Sequence, residues 1–103
     1  MVVVTREIQR VYDGKWDDLE EINKRCNAME SRLGFPPTKK RYRCLIGGHD
    51  TSTIIIEYQW ESLAALEAVY EKAFADPEWQ ALSAELDSII ASQQVELYTP
   101  LSP

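Results

Sequence analysis

An α+β fold, one antiparallel sheet covered by helices on a single face, is predicted by three observations on this 103-residue chain. The first is a pair of alternating β-prone segments, about 39–46 and 53–60, flanking the turn-forming run Gly47-Gly48-His49-Asp50. The second is a set of apolar residues three or four apart, Trp16, Leu19, Ile22, Cys26, Met29 and Leu33, lying between an N-terminal β segment and that hairpin. The third is Asp76-Pro77-Glu78, which has the chemistry of a helix start, followed by a last β segment before Pro100. The resulting order is β-α-β-β-α-α-β. Right-handed crossovers and a tight hairpin then select a ferredoxin-like sheet of strand order 4-1-3-2, with an extra helix before strand four.

Each element has a local reason. Residues 2–11 are rich in Val, Ile and Thr and lack Gly and Pro, which suits strand one; Asp13-Gly14 breaks it. Helix one runs from about Lys15 to Leu33. Its apolar stripe faces inward, Asp18, Glu21, Lys24 and Arg25 face water, and Gly34 caps its C-terminus. Phe35-Pro36-Pro37 is a stiff connector that cannot continue a helix. Strands two and three form the hairpin. If paired residues have numbers summing to about 100, Tyr42 faces Tyr58, Cys44 faces Ile56 and Ile46 faces Ile54, while Arg43 meets Glu57 and Arg41 meets Gln59 behind them. Ser62 caps helix two, whose inner side is Leu63, Leu66, Val69, Tyr70 and Phe74. Trp79, Leu82, Leu86 and Ile89 form the stripe of helix three, and strand four spans about 94–99. Residues 1–103 read as one domain.

Composition narrows the function classes. The formal net charge is −6, which opposes a nucleic-acid partner; the only basic cluster, Lys39-Lys40-Arg41 with Arg43, is short and split between two faces of a strand. No stretch is long and apolar enough for a bilayer span, and the N-terminus does not read as a signal peptide. Cys26 and Cys44 match no zinc or redox spacing and read as reduced, core-facing thiols, so a cytoplasmic location is expected. A chain of this size gains from association. The sheet face away from the helices, with Leu45 and Ile55, is expected to be covered by a second copy.

Candidate binding residues come from the presumed helix side of the sheet. Tyr42 and Tyr58 are paired in the register above, Trp60 and Trp79 supply aromatic walls, and convergent polar tips in an apolar cleft describe a small-molecule pocket. Arg6 joins them if strand one turns Val2, Val4, Arg6, Ile8 and Arg10 toward the helices; Val3, Thr5, Glu7, Gln9 and Val11 form the competing face. In the first case Arg6 would bring a cation able to hold an anion into the cleft. Arg43, Glu57 and Glu7 read as a structural charge network inside a barrel. His49 reads as an exposed turn residue. No nucleophile–base pair, glycine-rich phosphate loop or metal-ligand spacing is present, so no catalytic residue, cofactor or metal is assigned.

The element order, with Asp13-Gly14-Lys15 after strand one, Ala75-Asp76-Pro77-Glu78-Trp79-Gln80 before the last helix and the Pro100-Leu101 ending, resembles the dimeric α/β-barrel superfamily. That superfamily includes antibiotic biosynthesis monooxygenases and NIPSNAP-like proteins; Asp13-Gly14-Lys15 is similar to the Pro-Gly-Lys turn of the latter. The resemblance implies a homodimer whose two sheets close into a barrel, with ligands between sheet and helices of each subunit. Its cofactor-independent monooxygenases and haem-degrading members use an Asn, Trp and His arrangement that this chain does not reproduce, since His49 lies in the turn and Asn23 and Asn27 lie on helix one. The expectation is therefore a NIPSNAP-like homodimer binding a small, largely apolar molecule. The alternatives are a cofactor-independent monooxygenase or isomerase acting on an aromatic or polyketide-like compound, and a structural dimer without a working pocket.

Overall fold

The computed structural model of the protein describes residues 1–103. Seven elements follow in the order β1 (Val3–Val11), α1 (Trp16–Leu33), β2 (Lys40–Arg43), β3 (Thr53–Trp60), α2 (Leu63–Phe74), α3 (Pro77–Leu86) and β4 (Ile90–Tyr98). The strands form one antiparallel sheet in the order β2-β3-β1-β4, the ferredoxin-like topology expected.

Strand phase positions everything else. Val3, Thr5, Gln9 and Val11 of β1 are buried beneath the helices, as are Ile54, Ile56, Tyr58 and Trp60 of β3. Because successive side chains alternate, Val4, Arg6, Ile8 and Arg10 point to the opposite, open face. Of the two faces weighed for β1, the odd-numbered one looks at the helices.

The hairpin departs from expectation by three residues. β2 is only Lys40–Arg43, and its partners are Glu57, Ile56, Ile55 and Ile54 in turn. An odd slip exchanges the two faces of a strand. Tyr42 therefore stands opposite Ile55 on the open face, not opposite Tyr58, and is 48% exposed. Leu45 and Ile46 fall in the turn and are 77% and 97% exposed. The slip gives the arginines partners other than the pairs predicted. Arg41 reaches Glu20 of α1 with two bonds of 2.7 and 3.0 Å, and the Arg43 guanidinium lies 4.2 Å from the ring centroid of Trp16. Glu57 is left to Arg6, and Glu7 lies on the far side of the sheet from both, so the network of Arg43, Glu57 and Glu7 does not form.

The helices follow their local signals. Gly34 closes α1 in the left-handed region, with φ of 90°, and the Phe35 N–H returns to the Glu30 carbonyl at 2.9 Å. The Ser62 side chain accepts from Ala65 N, and that of Asp76 from Trp79 N ahead of Pro77. Ser62→Ala should cost about 1 kcal/mol, read as a lower urea midpoint at unchanged slope. Two helix readings are corrected. Leu63 and Phe74 of α2 are exposed while Ala73 is buried, and Ile89 is buried just past the end of α3. β4 also begins four residues early, at Ile90, because Tyr12 N bonds Ile89 O and Val11 pairs with Ile90, drawing the chain into the sheet at once.

Phe35 organises the aromatic core. Its ring lies 5.5–5.7 Å, centroid to centroid, from Tyr58, Trp60, Tyr70 and Trp79. The buried Trp60 indole N–H donates to Thr5 Oγ1 at 3.0 Å, which satisfies both groups.

Candidate functional site

The inward phase of β1 carries Glu7 and Gln9 into a cleft of about 120 Å³ between the sheet and helices α1 and α3. Ile22 and Met29 of α1, Trp79 and Leu82 of α3, Phe35 and Ile56 form its apolar walls. Polar groups enter from three directions. Gln9 and its cross-strand partner Gln93 join their amides at 3.0 Å. Asn23, Asn27 and Glu30 lie on one face of α1, spaced so that a single cation reaches all three. That cation is Lys39, whose Nζ is 2.9 Å from Asn23 Oδ1, 2.8 Å from Asn27 Oδ1 and 3.3 Å from Glu30 Oε1. Glu30 also accepts the Tyr58 hydroxyl at 2.5 Å.

Glu7 is differently placed. No lysine or arginine pairs with it; the nearby cation is spent on Glu30. Burial, then the charge of Glu30, push its carboxyl up to about 7, with Lys39 and the Tyr70 hydroxyl pulling more weakly the other way. Burial and the same carboxylates raise Tyr58 and Tyr70, so both hydroxyls stay protonated and serve as donors. The Cys26 thiol is pushed up to about 11, by burial first and Glu30 second, which makes it a poor nucleophile. No three of histidine, cysteine, aspartate or glutamate converge to hold a metal. The group that stands out is a carboxyl able to carry or release a proton near neutrality, beside hydrogen-bonding amides and an apolar wall.

The residues proposed from sequence divide between the two faces. Trp79 lines the cleft; Tyr58 and Trp60 lie on its side of the sheet, with Tyr58 bonded to Glu30 and Trp60 sealed in the core. Arg6 and Tyr42 do not join them. Arg6 lies on the open face, bonded to Glu57 at 2.9 Å through Nε and 2.5 Å through Nη2, and 5.2 Å from the Tyr98 ring centroid. His49 is exposed in the turn. Sequence reasoning missed Glu30, Lys39, Gln9 and Gln93 as site residues. One signal was available: Glu7 and Gln9 interrupt the apolar face defined by Val3 and Val11, and a polar residue on a core-facing strand needs a partner or a purpose.

An antiparallel α+β sheet with a helix-covered cleft and an open reverse face defines the ferredoxin-like class of small domains. The NIPSNAP family model matches residues 10–103, and the chain belongs to that family. A NIPSNAP family protein from Agrobacterium tumefaciens is similar over 97% of this chain and 86% of its own, at 21% identity and a TM-score of 0.79. A NIPSNAP-like domain protein from Burkholderia xenovorans is 17% identical over 98% of this chain and 86% of its own, with a TM-score of 0.78. A mutant of SnoaB, a cofactor-independent oxygenase from Streptomyces nogalater, shares 14% identity over 99% of this chain and 95% of its own, with a TM-score of 0.72. At these identities the likeness is one of fold. No curated protein matches the chain.

Proposed function

We propose that the protein is a cytoplasmic homodimer in which each subunit binds a small, largely apolar molecule between its sheet and helices. The observation that carries this reading is the cleft itself: apolar walls closing on a few convergent polar groups. Its volume of about 120 Å³ falls below the roughly 300–1,000 Å³ usual for sites of drug-sized ligands, so the ligand is a compact molecule with one polar end. Dimerisation is supported by the open face, where the partly buried Val4, Ile8 and Ile55 surround the Arg6–Glu57 pair. No helix is long and apolar enough to cross a membrane, and both cysteines are free, which supports a reducing compartment.

One set of measurements tests both parts. Light scattering should give twice the 11.8 kDa chain mass, and Ile8→Lys should halve it. A thermal-shift screen of small ketones, lactones and phenols should yield hits that Leu82→Trp, which fills the cleft, abolishes. A monomeric wild type sinks the dimer; hits indifferent to Leu82→Trp sink the site.

A further inference from the structure

We infer that Glu7 is the proton acceptor and donor of an acid–base site in this cleft, and that the site moves a proton on the carbon next to the carbonyl of a small ketone or lactone. The inference rests on the binding reading above and adds a reaction class to it.

The geometry separates two carboxyls that share one pocket. Glu30 is occupied by Tyr58 and Lys39, whereas Glu7 has no cation and remains free to exchange a proton. Two carboxyls held apart in this way are the pattern by which acid–base roles are divided. Beside Glu7 lie unspent polar groups. Gln9 is only 4% exposed and donates one amide N–H to the exposed Gln93, which leaves the Gln9 carbonyl oxygen without a protein partner. The single buried side-chain atom with no partner anywhere in the protein is Nε of Arg41, on another residue that lines this cleft. Buried polar groups are normally satisfied. A buried donor left over on the wall of the cleft suits a ligand oxygen that gains negative charge. Arg41, Ile56 and Glu7 stand in one cross-strand row, and Gln9 with Gln93 in the next.

The chemistry balances without a co-reactant. The Glu7 carboxylate takes a proton from the α-carbon as that C–H bond breaks. The C–H electron pair forms the new C=C bond, and the carbonyl π pair moves onto oxygen, giving an enolate whose oxygen the Arg41 Nε–H would hold. The carboxyl then either swaps that proton with solvent and delivers a solvent hydron to the same carbon, which is exchange, or carries the proton to the far end of a conjugated system, which is isomerisation. A carboxyl raised by burial and by Glu30 toward neutrality suits this use; Lys39, Tyr58, Tyr70 and Cys26 are the other titratable groups around it.

Cyclohexanone and 3-pentanone in D₂O, followed by proton NMR, supply the test. The wild type should speed loss of the α-proton signal above the buffer rate, with the rate rising through neutral pH to a plateau. Glu7→Gln, near-isosteric, should lower it by roughly 10²–10⁴-fold while circular dichroism shows the fold retained. Glu7→Asp, which keeps the carboxyl, should retain part of the rate. Ketones that shift the melting temperature yet exchange at the buffer rate, or a Glu7→Gln variant as fast as the wild type, overturn this inference and leave the binding reading standing. If neither ketone nor any other member of the screen binds, both fall together.

Discussion

Phe35→Ala should destabilise the protein by about 3–5 kcal/mol, the range for removing a buried phenyl ring from a packed core. The size follows from what meets at this residue. Gly34 takes the left-handed conformation that ends α1, and the turn throws the next side chain back onto the sheet. The ring then touches β3 through Tyr58 and Trp60, α2 through Tyr70 and α3 through Trp79. It therefore ties three elements together from outside all of them, beside Tyr70 of α2, which packs on Trp60 and Trp79. Domains of this size hold only about 5–15 kcal/mol in total, and each kilocalorie moves the melting point by about 4–8 °C, so the midpoint should fall by more than ~10 °C. Phe74→Ala is the comparison. That ring also meets Tyr70 and Trp79, but it is 65% exposed, and its loss should cost less than about 1 kcal/mol. Equal losses for the two variants would refute the central role of Phe35. Because Phe35 also lines the cleft, the costly variant should weaken ligand binding as well.

What could be read from the sequence was what local chemistry decides. The α1 stripe, the Ser62 and Asp76 caps, Pro77 at the first turn and the Gly34 stop depend on neighbours three or four residues away, and all fell where expected. The phase of β1 was undecidable by hydrophobicity, since Val2, Val4 and Ile8 balance Val3 and Val11. The hairpin register failed for a related reason. Nine residues separate β2 from β3, so no two-residue turn fixes the pairing. The register is set instead by contacts distant in sequence, Arg41 with Glu20 and Arg43 with Trp16, and by the Asp50 carboxylate holding Ser52 N and Thr53 Oγ1. The open phase of β1 and the misread hairpin register are what let Arg6 and Tyr42 stand as cleft residues on paper. The site was legible as a place, between sheet and helices, but its polar residues were not. Glu30, Lys39 and Gln93 acquire meaning only when α1, the start of β2 and the outer strand are brought over Glu7 and Gln9.

Glu7→Gln should make the protein more stable at pH 8 and leave it nearly unchanged at pH 5. The sign follows from linkage. In the unfolded chain the carboxyl titrates near its ordinary value of 4.5, whereas in the fold burial and Glu30 raise it to about 7. Between those values the native state holds a proton that the unfolded state has released, so stability falls as pH rises through this window. Below it both states are protonated and the native site bears a neutral acid; above it both are ionised and the penalty of a partly buried carboxylate without a cation partner is present. The shift corresponds to an effect on the order of 3 kcal/mol at pH 8. Glutamine keeps the shape and cannot ionise, so its urea midpoint should be flat where that of the wild type declines, and titrations common to both proteins cancel in the difference. The carboxylate of Asp76, held down to about 2 by Arg32, acts in the opposite sense and in a separate acid window, where stability is lost as pH falls. Parallel wild-type and Glu7→Gln profiles from pH 5 to 8.5 would show that Glu7 carries no native-state proton, and the acid–base site would lose its base. A diverging pair, with the more stable variant the one that cannot exchange a ketone's α-proton, is the outcome expected when a fold gives up stability to hold a reactive group.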